Sequence, residues 1–148
     1  MEPMATAGLP DTATSHNGDL ELSIAARRAN LRVSLANRSA GTLCVYFAVD
    51  GPNARHHDHL IAWLARGDVT RELRFYGPRN RSGIGKVELE PGQCVADDID
   101  LHAWAREPVN GGEPLEPGEY ALTAVYQLSR PGAWSGSITA GPIRLAVQ

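Results

Sequence analysis

Leu115–Tyr126 reads LEPGEYALTAVY. A Pro117-Gly118 turn is followed after one residue by Tyr120, which opens a run alternating Tyr120, Leu122, Ala124 and Tyr126 with Ala121, Thr123 and Val125. A period of two sends successive side chains to opposite faces, so the segment is a β-strand with its starting turn written in the sequence.

The same alternation recurs on either side. Leu20, Leu22 and Ile24 share one face of an earlier strand, and Leu31, Val33 and Leu35 share a face of the next. Asn37–Gly41 (NRSAG) is a turn cluster. Thr42–Val49 (TLCVYFAV) is apolar on both faces, which predicts a strand between two layers or beneath a loop. Asp50–Asn53 (DGPN) turns the chain. His59–Val69 fits a helical turn through Leu60, Ile61 and Leu64 and a strand through Leu60, Ala62 and Leu64; the neighbouring strands favour the strand. RELRFYG, KVELEPGQ and CVADDIDLHAW give further short runs, with Val95, Asp97, Ile99 and Leu101 on one face of the last. The final strand, Ile138–Val147, contains Pro142, which suits an edge or a bulge. No amphipathic helix and no internal repeat stands out. Met1–Gly18 is small, polar and proline-dotted, and reads as a flexible tail before a domain over residues 19–148.

Seven to nine short strands with turn signals about every ten residues predict an all-β antiparallel sandwich. The 148 residues, 43% of them hydrophobic, suffice for one domain with its own core. A net charge of −3 favours neither a nucleic-acid binder nor a polyanion. No run approaches the ~18 apolar residues of a membrane span, and no basic region precedes an apolar stretch at the N-terminus as a signal peptide requires. The expected location is cytoplasmic if the chain is full-length, and secreted or periplasmic if it is a mature fragment. Cys44 and Cys94 match no zinc spacing, and geometry alone decides whether they meet.

The turn before Tyr120 resembles the tyrosine corner of immunoglobulin-like domains, in which a Tyr at the start of strand F bonds its hydroxyl back to upstream backbone. Leu122 stands where an antibody domain carries a cysteine. The likeness extends over about half the chain: Tyr76-Gly77-Pro78, the Leu89–Gly92 turn, Asp100-Leu101, Pro117–Tyr120, and Trp134-Ser135-Gly136 before the last strand. This order is similar to that of bacterial immunoglobulin-like domains that stand alone or precede the catalytic part of deuterolysin-type zinc proteases. The resemblance implies an immunoglobulin-like sandwich. It implies no protease, because the sequence lacks the His-Glu-x-x-His of such enzymes.

Three clusters carry candidate chemistry. His56, His57, Asp58 and His59 offer metal donors, but neighbours on an extended chain point apart, so a site would need a partner from elsewhere such as His102, and the segment reads first as a solvated loop. Asp97, Asp98 and Asp100 offer hard-cation ligands without a calcium loop, and read as an acidic strand face. Neither cysteine has the surroundings of a nucleophile, no Gly-x-Ser-x-Gly elbow is present, and Arg81–Gly85 is too short for a phosphate loop. The remaining signal is basic. The chain has one lysine against thirteen arginines, which fits a GC-rich genome or carboxylate and phosphate recognition. Arg66, Arg71, Arg74, Arg79, Arg81 and Lys86 leave a local excess of four positive charges over Asp68 and Glu72. With Trp134 they are the expected partner-facing residues. The expectation is a non-catalytic protein-binding module with no cofactor, no nucleic acid and no membrane. Two alternatives stand beside it. One is a protease inhibitor or protease-associated domain using Glu107–Gly118 or Gly77–Gly85. The other is a metal-binding domain using the histidine cluster.

Overall fold

The computed structural model describes residue 6 and residues 8–48, 59–74 and 84–148. Ten strands are present among these residues. They are β1 (Thr12–Asn17), β2 (Leu20–Arg27), β3 (Asn30–Asn37), β4 (Leu43–Ala48), β5 (Leu60–Arg66), β6 (Val69–Arg74), β7 (Ile84–Leu89), β8 (Cys94–Asp100), β9 (Gly118–Leu128) and β10 (Gly136–Val147). All pairings are antiparallel. One sheet has the order β1-β2-β3-β8, a second β10-β9-β5-β6, and β4 pairs with β7.

The alternation that announced the strands also builds the core. Leu20, Leu22, Ile24, Leu31, Val33 and Leu35 from the first sheet are all at most 1% exposed. They share one apolar cluster with Leu60, Ala62, Leu64, Leu122, Tyr126 and Ile143 of the second. His59–Val69 resolves as strand: Leu60, Ala62 and Leu64 enter the core and Trp63 faces out. β4 lies beneath the β9–β10 loop, whose Trp134 N–H donates to the Cys44 carbonyl. β10 is an edge strand with a register shift between Ala140 and Ile143, where Pro142 sits.

Asn37 joins the two ribbons. β3 and β4 run opposite β8 and β7, and the ladder shifts at residues 37–42. Asn37 is wholly buried there, and its amide uses all four of its hydrogen-bonding positions. Nδ2 donates to the carbonyls of Gly41 and Leu89, both at 2.8 Å, and Oδ1 accepts from Ser39 N and Oγ. Beside it, Glu90–Gln93 forms a turn with Pro91 second and Gly92 third at φ +82°, closed by Gln93 N–H to the Glu90 carbonyl. The positive φ at the third position calls for glycine.

Two expectations are corrected. Residues 12–17, read as part of a tail over 1–18, form β1. It pairs along β2, and just before it the Pro10 carbonyl accepts from Arg144 N–H of β10. The strand is mostly polar and lies at a sheet edge, with only Ala13 packed against the core. The run through Leu101 to Trp104 is a one-turn helix, α1 (Leu101–Arg106), rather than the end of a strand. Asp100 caps it by accepting from His102 and Ala103 N–H. Leu101, Trp104 and Ala105 are its buried residues. With β1, these changes raise the strand count above seven to nine and add a helix.

Candidate functional site

The outer face of the β10-β9-β5-β6 sheet departs from the usual pattern, in which an antiparallel sheet turns polar residues to water. On β5 the outward positions are Ile61, Trp63 and Ala65; level with them on β9 lie Val125, Thr123 and Ala121. Ile61 and Ala121 are buried although neither belongs to the core cluster. Trp63 stands in the middle, 37% exposed, the only exposed large aromatic side chain among the described residues. Beside its ring, Ala65, Thr70, Ala121, Thr123 and Pro142 line a hollow of about 380 Å³. The apolar strip is confined to β5 and β9: level with it stand Thr70, Glu72 and Arg74 on β6 and Thr139 and Arg144 on β10, an apolar strip with a polar rim of the kind that marks interaction surfaces.

The face continues into a groove of about 1020 Å³ at the β9–β10 turn. Ile61 is its apolar floor; His59, Arg74, Gln127, Arg130 and Ser137 contribute polar groups. No carboxylate is among the described lining residues. Arg74 pairs with Glu72, which projects from β6 opposite Trp63. Arg130 is exposed, and its guanidinium lies 4.7 Å from the centroid of the Tyr46 ring. That stacking orients a cation at an otherwise mobile side chain.

An aromatic cluster supports this end. Tyr46 and Tyr126 both meet His59 edge-on, and Tyr126 lies 6.1 Å from Trp134. The Tyr126 hydroxyl donates to the Tyr46 carbonyl at 2.7 Å and accepts from Tyr46 N–H. Burial pushes the Tyr126 phenol well above its usual range, so it stays a neutral donor.

The arginines expected to form one surface are dispersed. Arg66 pairs with Glu116 at 3.3 Å and lies over Tyr120. Arg71 projects from the inner face of β6 and donates to the carbonyls of Ala105, Asn110 and Glu113. Both therefore fasten the connection between β8 and β9. Arg74 alone reaches the groove, Lys86 is exposed on β7, and Arg79 and Arg81 lie outside the described residues. Trp134 is half-buried against Tyr126. The connection weighed as an inhibitor loop at Glu107–Gly118 is tied down by Arg71 and by Asn110, whose side chain bonds both Arg74 N–H and the Arg74 carbonyl. The other loop, Gly77–Gly85, lies almost wholly outside the described residues.

His56, His57 and Asp58 also lie outside them, and His59 packs in the aromatic cluster. Among the described residues no three metal-binding side chains come together. Asp98 pairs with Arg32 and Asp100 caps α1. Cys44 is half-buried and Cys94 exposed, and both are free thiols. No described helix is long and apolar enough to cross a membrane.

Comparison with protein families, with curated proteins and with solved structures gives no significant match. The site therefore rests on its own geometry. Sequence reading passed over Trp63 and Arg130. Trp63 had a legible signal: once Leu60, Ala62 and Leu64 are inward, the period of two puts an indole on the outer face. Arg130 sits in a turn, and its placement over Tyr46 depends on a residue 84 positions earlier in the sequence, for which no local signal exists.

Proposed function

We propose that this protein is a non-catalytic protein-binding module, an immunoglobulin-like sandwich that docks its partner on the outer face of the β10-β9-β5-β6 sheet. The observation carrying this reading is Trp63, exposed on the apolar strip of β5 and β9 beside a hollow. Buried-in-complex tryptophans are the commonest energetic anchors of protein interfaces. The immunoglobulin-like assignment is supported by the corner at β9, where the Tyr120 hydroxyl donates to the Glu116 carbonyl at 2.6 Å. It is supported further by the shared core of the two four-stranded sheets. The partner contributes an apolar side chain to the hollow next to Trp63.

The test uses the purified domain as bait in three forms: unaltered, Trp63→Arg, and Arg32→Ala on the opposite sheet. The expected result is one protein retained by the unaltered and Arg32→Ala forms and lost with Trp63→Arg, while the melting temperatures of all three stay within a few degrees. Retention indifferent to Trp63→Arg would overturn the assignment of the face. No specifically retained protein would overturn the binding-module reading.

A further inference from the structure

We infer that the groove at the β9–β10 end of this face receives an extended acidic segment of the partner protein, so that the partner offers an apolar anchor followed by carboxylates. The inference rests on the docking reading above and adds the partner's chemistry. Its basis is charge complementarity. The described residues lining the groove include Arg74, Arg130, His59, Gln127 and three serines, with no Asp or Glu among them. Glu72 offsets Arg74 from two positions earlier on the same strand, whereas Arg130 pairs with no carboxylate among the described residues and lies over the Tyr46 ring. Arg130 is exposed and already oriented by Tyr46. A guanidinium held in place loses little freedom on pairing with a carboxylate, and a charged hydrogen bond of this kind is the strongest sort available to a surface groove.

The spacing follows from the strand. Ile61 and His59 lie two and four residues from Trp63 along the same direction. At ~3.3 Å per residue this is about 7–13 Å. An extended partner segment with its apolar side chain at Trp63 therefore brings residues two to four positions away to the groove, and those positions carry Asp or Glu. The Gln127 N–H to His59 carbonyl bond fixes the groove wall level with β5, so the two halves of the face keep a constant separation.

The experiment is amide NMR of the intact protein titrated with an N-acetylated, C-amidated hexaglutamate peptide, a matched hexalysine peptide, and inorganic phosphate. Hexaglutamate should shift the amides of 127–137 and of Ile61 saturably. Arg130→Glu should weaken this about tenfold, as expected for loss of one charge-assisted pair, while Arg130→Lys, which keeps the charge but not the guanidinium stacked on Tyr46, should fall between the two. Raising NaCl from 50 to 500 mM should weaken binding at least severalfold, and hexalysine should have no effect. Trp63→Ala should leave the hexaglutamate shifts intact, because this probe lacks the apolar anchor. Loss of the partner with Trp63→Arg and loss of hexaglutamate binding with Arg130→Glu are therefore separate results. Absence of saturable shifts at the groove, shifts indifferent to Arg130→Glu, or shifts with phosphate but not with hexaglutamate would overturn the inference.

Discussion

Asn37 shows how much of the architecture hangs on one amide. It is the only buried polar side chain among the described residues apart from the aromatic ones, and every hydrogen-bonding position it has is filled. Asn37→Ala leaves the Gly41 and Leu89 carbonyls without this donor at the junction of the two ribbons. The Gly41 carbonyl is exposed and has Ser39 Oγ as a second donor, so the cost falls on the buried Leu89 carbonyl; a buried group left unpaired costs about 1–3 kcal/mol, and the expected loss is about 2 kcal/mol, read from the midpoint of urea unfolding. The Tyr120 hydroxyl makes a single bond to the Glu116 carbonyl, so Tyr120→Phe should cost about 1 kcal/mol by the same measurement. A loss near zero for Tyr120→Phe would mean that the corner bond does not hold the turn. The tyrosine was legible in the sequence because turn and strand chemistry stand side by side at 117–126. Asn37 was not: NRSAG reads as an ordinary surface turn, and its burial depends on Leu89, 52 positions away.

At the scale of elements, the chain protects both lateral sides of its sheets by different means. On one side the segment 10–17 runs along β2 and bonds β10 through the Pro10 carbonyl. On the other, the connection through α1 covers the free edge of β6, where the Asn110 carboxamide takes both backbone groups of Arg74. Covering an exposed edge removes a template for unwanted strand pairing. Arg71 holds that connection through three carbonyls, which makes it a structural residue. Arg71→Ala should lower stability by about 2 kcal/mol, and Arg71→Lys should recover only part, because all three bonds leave from Nη2 and the lysine side chain ends one atom short of that position. Calorimetric melting of the pair checks this; full recovery with lysine would show that charge alone matters. The strands with an inward apolar row, β2, β3, β5 and β9, were readable because burial on one face imposes the period of two. β1 and α1 were not, for opposite reasons. β1 turns only the small residues Ala13 and Ser15 inward, too little apolar surface to leave a pattern. α1 is a single turn whose Asp100 cap also reads as the last acidic residue of β8.

For the whole molecule, the two faces of the second sheet divide the work. The inner face belongs to the core, and the outer face carries Trp63, the hollow beside it and the cationic groove. The local run of arginines in the sequence does not mark this surface, because nearness along a strand does not put side chains on one face: Arg71 and Arg74 point to opposite sides of β6. The most direct test of the docking claim is hydroxyl-radical footprinting of side chains, with mass spectrometry, on the protein alone and with its retained partner. In the free protein Trp63 should oxidise fastest of the three tryptophans, since Trp104 is only 3% exposed and Trp134 is half-buried. Adding the partner should slow Trp63 severalfold while Trp104 stays unchanged. Oxidation of Trp63 at the same rate with and without the partner would contradict the account.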